Sequence, residues 1–82
     1  MVIKVLGPGC PRCQELYAET RKALGLSGVE AQLVKVEKLD EIMAEGVMMT
    51  PALVVNDEVK CAGRVPPARE IVTWIMNAAA TE

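Results

Sequence analysis

The 82-residue sequence predicts an α/β fold, with one four-stranded mixed sheet covered by helices on both faces. Short apolar runs of strand length alternate with amphipathic segments, which is the pattern of a layered α/β domain. A helix-length segment joins the first two strands, and such a crossover gives a right-handed parallel unit. A two-residue turn joins the last two strands as a hairpin. The predicted order is β-α-β-α-β-β-α, and a chain this short builds one core, so we predict a single domain over residues 1–82.

The first strand and helix meet at a turn rich in glycine and proline. The apolar run Val2–Leu6 predicts a buried strand, and Gly7-Pro8-Gly9 cannot continue it. Pro11 suits the first position of a helix, where a missing N–H costs nothing. We place this helix over residues 11–24, with Gly25 and Gly28 marking its end. Its inward stripe has steps of four, three and four: Cys13, Tyr17, Thr20 and Leu24.

The remaining elements follow from the same signals. Residues 30–36 predict a second strand, and residues 38–45 predict a short helix whose apolar side holds Leu39, Ile42 and Met43. Ala52–Val55 and Glu58–Ala62 predict the hairpin, because Asn56 and Asp57 both tolerate positive φ. Pro66-Pro67 opens the last helix, whose inward stripe is Ile71, Trp74, Ile75 and Ala78. We interpret Glu15 and Glu19 as part of a solvated face.

Composition limits the possible partners and chemistry. The net charge is −2 with a sequence pI near 5.1 and no basic cluster, which argues against binding to nucleic acid or an anionic membrane. Apolar stretches fall short of the roughly 20 residues of a membrane span, and the N-terminus lacks a secretory pattern, so we expect a cytoplasmic protein. The absence of histidine excludes His-based metal and catalytic sites, and three cysteines fit poorly with a disulfide-stapled secreted domain.

The motif Cys10-Pro11-Arg12-Cys13 is the main chemical signal in the chain. It follows a strand and a sharp turn and opens a helix, which places Cys10 at the N-cap and Cys13 one turn in. The two sulfurs are then close enough to bridge. Unpaired helix N–H groups, the helix dipole and Arg12 all favour a thiolate on Cys10. Such effects lower a cysteine pKa from about 8.5 to roughly 3.5–7.5, and the thiolate is the species that attacks a disulfide.

The two cysteines have different predicted roles. Because Cys13 lies on the inward stripe, Cys10 remains at the exposed tip of the helix. We therefore predict that Cys10 is the attacking nucleophile and that Cys13 resolves the product by closing the Cys10–Cys13 disulfide. A structural pair, or half of a metal site, is the alternative for an isolated C-x-x-C motif.

Three motifs in this order resemble the small prokaryotic thioredoxin-like proteins called glutaredoxin-like or redox-active disulfide protein 2. The resemblance covers nearly the whole chain. The motifs are Gly9-Cys10-Pro11-Arg12-Cys13, Thr50-Pro51 and Gly63-Arg64-Val65-Pro66.

This resemblance implies a thioredoxin fold with a cis Thr50–Pro51 bond beside the C-x-x-C motif. A cis proline there would present the Met49 backbone to an extended substrate, with Met48 and Met49 bordering the groove or filling core. The implied substrate-binding residues are Pro11, Arg12, Met49, Thr50 and Pro51. We further predict a monomer without a cofactor beyond its redox-active disulfide, which acts on disulfide-bearing client proteins and is re-reduced by an electron-donating reductase.

The chain departs from its better-known relatives at two places. Thioredoxins carry a buried aspartate before the site, whereas this chain has Lys4 six residues before Cys10, so water or Cys10 itself would take the proton. Lys4 either lowers the pKa values of the motif thiols through its positive charge beneath them, or lies at the sheet edge or extends its ammonium group to solvent. Glutaredoxins usually offer a Gly-Gly and an acidic residue near the last helix, where this chain has Gly63 and Arg64. We therefore favour dithiol chemistry over glutathione, although Arg64 could meet a glutathione carboxylate.

Cys61 lies outside the motif, and its residue type alone leaves its role open. We predict that it faces the core with Val59 on one side of the fourth strand, as a small hydrophobic residue. Its functional alternative is a regulatory or intermolecular thiol. A soft-metal-binding or metal-delivery module, with Cys61 as a third ligand, is the competing function for the whole chain, although structural zinc normally has four ligands. A redox-sensing protein that only binds partners is the third hypothesis.

Overall fold

A computed structural model describes residues 1–81, so Glu82, the last residue of the predicted domain, lies outside the described residues. The strands are β1 (Val2–Leu6), β2 (Gln32–Val36), β3 (Ala52–Val55) and β4 (Glu58–Ala62). The helices are α1 (Pro11–Ser27), α2 (Leu39–Ala44) and α3 (Ala68–Ala80). This is the predicted order of elements, and the predicted α/β architecture is confirmed.

The sheet has the strand order β2-β1-β3-β4. Strand β1 is parallel to β2 and antiparallel to β3, so the sheet is mixed as predicted. The hairpin between β3 and β4 turns at Asn56 and Asp57, whose φ angles are 49° and 66°. These left-handed values are the ones a tight hairpin turn needs at its two central positions.

Each face of the sheet has its own apolar core. Ile3 and Val5 of β1 point to the side of α1 and α3, and Leu6 points to the side of α2. All four residues of β3 are buried, because this central strand is covered on both faces. Helices α1 and α3 therefore share one face of the sheet, while α2 alone lies on the other.

Helix α1 is longer than predicted. It passes through Gly25 and ends at Ser27, with Gly28 in the left-handed C-cap conformation at φ 69°. A glycine inside a helix costs only about 1 kcal/mol, which the packing of α1 readily offsets. Cys13 and Thr20 are buried as predicted, but Leu16 and Ala23 complete the buried side, and Tyr17 and Leu24 are only partly covered.

Helix α2 is shorter than predicted, and its apolar side is mostly uncovered. Ile42 is its one buried residue, whereas Leu39 and Met43 are 72% and 64% exposed. A helix of six residues makes fewer than two turns, so only one of its side chains packs against the sheet. Leu39, Ile42 and Met43 line one groove, so they share a side of α2 as predicted, but only Ile42 is buried there.

Helix α3 begins at Ala68, two residues after the predicted start, with Pro67 at its N-cap. Ile71 and Ile75 are fully buried. Pro67 offers no side-chain cap, and Glu19 Oε2 of α1 accepts the Ala68 N–H at 3.1 Å instead. Glu19 is therefore a cap for another helix, and the prediction that it only faces solvent is wrong. Among the helices described, none combines the length and apolar character needed to cross a membrane.

Candidate active site

The two cysteines of the motif lie at the start of α1 and are joined as a disulfide. Cys10 is the N-cap, with φ −66° and ψ 163°, and Pro11 follows at the first helical position. The Cys10 sulfur accepts the N–H of Cys13 at 3.3 Å. A sulfur at this position meets free N–H groups and the positive end of the helix dipole, both of which stabilise a thiolate once the disulfide is reduced.

The two sulfurs differ in their access to solvent. Cys10 is half-buried at the mouth of the site, while Cys13 is only 4% exposed and belongs to the buried side of α1. The Cα atoms are 5.1 Å apart, within the usual range for a disulfide. A partner from outside therefore meets Cys10 first, and Cys13 lies behind it.

Gly7 allows this packing at the end of β1. A Cβ on Gly7 would overlap the Cys13 sulfur and lie 3.0 Å from the Cys13 Cβ. The same hypothetical atom would be 4.0 Å from the Cα of Pro51. Gly7 therefore lies between Cys13 and the loop before β3, where a larger residue would separate them. Its role in the site was missed from the sequence, which indicated a turn there but not its neighbour.

The loop before β3 approaches the cysteines through a cis Thr50–Pro51 bond. Pro51 is buried, and its carbonyl oxygen accepts the N–H of Gly63 at 2.8 Å. Gly63 has φ +81°, and a Cβ there would be 2.8 Å from the Cε of Met49. The backbone conformation at this position therefore favours glycine, whereas the exposed end of the Met49 side chain could move aside. The hydrogen bond to Pro51 joins the proline loop to the segment before α3.

Arg12 and Arg64 have different surroundings. The Arg12 Nη2 donates to the Gly63 carbonyl at 3.4 Å from an exposed position. Arg64 donates both of its Nη groups to the Glu70 carboxylate, at 3.1 Å and 2.8 Å. These two hydrogen bonds raise the pKa of Arg64 and lower the pKa of Glu70. The Arg64 guanidinium thus already has a carboxylate partner, which does not support its use for a glutathione carboxylate.

Lys4 lies on the face of the sheet opposite to α1. Its Nζ is 2.8 Å from Glu45 and 3.9 Å from Asp57. The hydrogen bond to Glu45 is the main cause of the raised pKa of Lys4. Lys4 is on an inner strand, β1, so it is not an edge lysine, and its ammonium group reaches Glu45 on the side opposite to Ile3 and Val5.

A small cleft lies beside Cys13. Val5 lies on its wall, and its partner in the parallel register is Lys35. The cleft has a volume of about 20 Å³, enough for roughly one water molecule. Lys35 and Glu37 bring charges to it, but both are at least partly exposed. The full lining is Val5, Gly7, Gly9, Cys13, Gln14, Tyr17, Lys35 and Glu37.

The methionines beside the proline loop are exposed. Met48 is 97% exposed and Met49 is 62% exposed, so both are surface residues and neither fills core. The Met49 side chain lies along Gly63, on the side of the loop that Arg12 also reaches. Thr50 is exposed as well. Of the predicted substrate-binding residues, Pro11, Arg12, Met49 and Thr50 are thus exposed, and the buried Pro51 lies near Gly7 beside Cys13.

Cys61 is buried, as predicted, with 8% of its surface exposed. Burial raises the pKa of its thiol, with the nearby charge of Arg64 acting in the opposite direction. Val59 is 43% exposed, contrary to prediction, because β4 has an irregular register that pairs Val54 with Val59 and Leu53 with Cys61. Within residues 1–81, no group of three or more acidic, cysteine or histidine side chains converges to hold a metal ion.

Comparison with known proteins agrees with this geometry. A family model described as a thioredoxin domain matches residues 1–76. A protein named thioredoxin from Methanocaldococcus jannaschii is 38% identical over 71 residues, which cover 87% of this chain and 81% of the relative. A thioredoxin from Methanothermobacter thermautotrophicus is 37% identical over 71 residues, covering 87% of this chain and 92% of the relative. The chain, with its C-x-x-C disulfide at a helix N-terminus, belongs to the thioredoxin domain family.

Proposed function

We propose that this protein reduces disulfides of client proteins by dithiol exchange, with Cys10 as nucleophile and Cys13 as resolving thiol. Family membership and the Cys10–Cys13 disulfide support thiol–disulfide exchange in general. The observation that carries the assignment of roles is the difference in burial, since Cys10 is half-buried and Cys13 is 4% exposed.

In the first step, the Cys10 thiolate attacks one sulfur of a client disulfide. A bond forms between Cys10 and that sulfur, the client disulfide breaks, and the second client sulfur leaves as a thiolate. The N–H of Cys13, which lies 3.3 Å from the Cys10 sulfur, supports the thiolate before the attack. Nucleophilic attack by Cys13 on an outside client is disfavoured, because its sulfur is covered.

In the second step, the Cys13 sulfur attacks Cys10 and closes the ring. The mixed disulfide breaks, the bound client sulfur leaves as a thiolate, and the Cys10–Cys13 disulfide forms. The thiol proton of Cys13 passes to water, for which the cleft beside Cys13 has room. Overall, the client gains two electrons, and an electron-donating reductase returns two electrons to the Cys10–Cys13 pair.

The surroundings of the disulfide are suited to an extended client segment. Arg12, Met49 and Thr50 are exposed: Arg12 lies within the motif, and Met49 and Thr50 come directly before the buried Pro51. The engagement of Arg64 with Glu70 favours dithiol over glutathione chemistry. We expect the protein to act as a monomer in the cytoplasm without a further cofactor.

Reduction of insulin in the presence of dithiothreitol tests this proposal. The wild type should accelerate insulin precipitation, and Cys10→Ser should abolish the acceleration. Cys61→Ala is the matched control, because it removes the third cysteine at a buried position away from the motif and should keep the activity. Activity that survives Cys10→Ser, or stoichiometric bound zinc or copper without turnover, would contradict the proposal.

A further inference from the structure

The turn that carries Cys10 is held at both of its ends by hydrogen bonds. At the inner end, the Gly7 N–H donates to the Val36 carbonyl at 2.9 Å, which fixes the turn to β2. At the outer end, the Gln14 side chain donates from Nε2 to the Gly9 carbonyl at 3.0 Å. The backbone N–H of Gln14 also donates to the Cys10 carbonyl at 3.0 Å. Gln14 is therefore bonded both to Cys10 and to the residue before it.

The Gly9 carbonyl belongs to the peptide group that also contains the Cys10 nitrogen. Because a peptide group is planar, a bond that holds this carbonyl also fixes the direction from which the chain enters Cys10. That direction determines the Cys10 φ angle, which is −66°. With φ at this value, the Cys10 sulfur lies 3.3 Å from the N–H of Cys13. The Gln14 amide thus influences the position of the sulfur through one peptide group.

The sequence of the turn makes this restraint necessary. Gly9 has φ +95°, a conformation that glycine enters and leaves freely because it has no Cβ. Pro8 before it has no backbone N–H with which to anchor the turn. In the oxidised protein the disulfide also restrains Cys10, but reduction removes that restraint. The hydrogen bond from Gln14 therefore matters most in the dithiol form, which is the form that attacks a disulfide.

We propose that Gln14 is a positioning residue for Cys10: its side-chain amide holds the Gly9–Cys10 peptide group so that the reduced sulfur stays at the N-terminus of α1, where the thiolate is stabilised. This proposal rests on the proposed role of Cys10 as nucleophile and adds the side chain that keeps it in place. Gln14 acts through the peptide group and not by contact with the client. A single hydrogen bond at an exposed position has a modest effect, and we expect about a threefold change in the thiolate fraction at low pH.

The rate at which iodoacetamide alkylates Cys10 in the reduced protein reports its ionisation, since the thiolate is the reacting species. Trypsin cleaves after Arg12, so Cys10 and Cys13 fall in separate peptides and mass spectrometry follows each thiol. Gln14→Met keeps the length and helix propensity of the side chain but removes its donor. On the acid side of the pH profile, Cys10 of Gln14→Met should react about threefold more slowly than in the wild type. At high pH, where the thiol is ionised in both proteins, the variant should be at least as fast.

The matched control is Gln32→Met, which replaces the other glutamine of the chain at an exposed position on β2. It should leave the pH profile of Cys10 unchanged. The charged and titratable side chains that belong to the motif or line the cleft beside Cys13 are the same in all three proteins: Arg12, Tyr17, Lys35 and Glu37. A difference between the profiles therefore reports the loss of the Gln14 amide. Because Gln14 is exposed, the fold should persist in the variant, which circular dichroism checks.

The shape of the profile separates a positioning role from a merely structural one. Coincident profiles for the wild type and Gln14→Met would overturn the proposal. An equal fall at every pH would overturn it as well, because the variant would then have lost access to the sulfur and kept its ionisation. Failure of the wild type to reduce insulin would instead contradict the proposed reductase function, and the alkylation profiles would still decide whether Gln14 positions Cys10.

Discussion

Replacement of Gly7 by alanine probes the packing between β1 and the disulfide. The Gly7 φ lies outside the left-handed region, so alanine can adopt the backbone, but its Cβ would overlap the Cys13 sulfur and lie 3.0 Å from the Cys13 Cβ. Forcing an extra methyl group into a packed core costs about 1–3 kcal/mol. For a domain of this size, each kcal/mol lowers Tm by roughly 4–8 °C. Gly7→Ala should therefore lower the Tm of the oxidised protein by at least about 4 °C.

The disulfide state and a second glycine provide controls for this experiment. Thermal unfolding followed by circular dichroism should show a smaller loss for Gly7→Ala in the reduced protein, because a free Cys13 side chain can rotate away. Gly25 lies inside α1, and a Cβ added there would meet no described atom within 4 Å outside the backbone of its own helix. Gly25→Ala should therefore stabilise the protein by about 0.5–1 kcal/mol. An unchanged or raised Tm for oxidised Gly7→Ala would refute the close contact between Gly7 and Cys13.

Three further predictions concern the remaining contacts. Glu19→Ala should cost about 1 kcal/mol by uncapping α3, measured by urea unfolding, whereas Glu15→Ala on the exposed side of α1 should cost little. Iodoacetamide should label Cys61 slowly in the folded protein at neutral pH, since burial raises its pKa; rapid labelling, read by mass spectrometry, would contradict this. Arg64 lowers the pKa of Glu70 in the folded protein. The ion pair should therefore stabilise the fold at pH values above the pKa of Glu70 in the unfolded chain, which is about 4.3. This stabilisation should be lost as the pH falls through the lower pKa that Glu70 has in the folded protein. The Tm difference between wild type and Arg64→Gln should thus be small at pH 7 and vanish in acid; a difference that grows in acid would be contrary evidence.

The sequence predicted the motif and its setting because they are local. Cys10, Pro11 and Cys13 lie within one turn at the start of a helix, and adjacent residues suffice to predict the preceding strand and turn. The hairpin at Asn56 and Asp57 was predicted for the same reason. These features depend on backbone preferences that act over a few residues.

The features that depend on tertiary register were not predicted. The hydrogen bond by which Glu19 caps α3 joins residues 49 positions apart, so no local sequence pattern predicts it. The exposure of Leu39 depends on where a short helix meets the sheet, and the exposure of Val59 depends on an irregularity in β4. Likewise, Val5 rather than Lys4 lines the cleft at Cys13, since the alternation of β1 turns Lys4 to the opposite face.

The assignment of Cys10 as nucleophile and Cys13 as resolving thiol is tested most directly by trapping a mixed disulfide with a substrate. Cys13→Ser and Cys10→Ser proteins, each reduced and mixed with oxidised insulin, are quenched with acid and weighed by intact mass spectrometry. Cys13→Ser should accumulate a mixed disulfide that peptide mapping places on Cys10, and Cys10→Ser should accumulate almost none. An adduct that forms equally well in Cys10→Ser, through the covered sulfur of Cys13, would contradict the account.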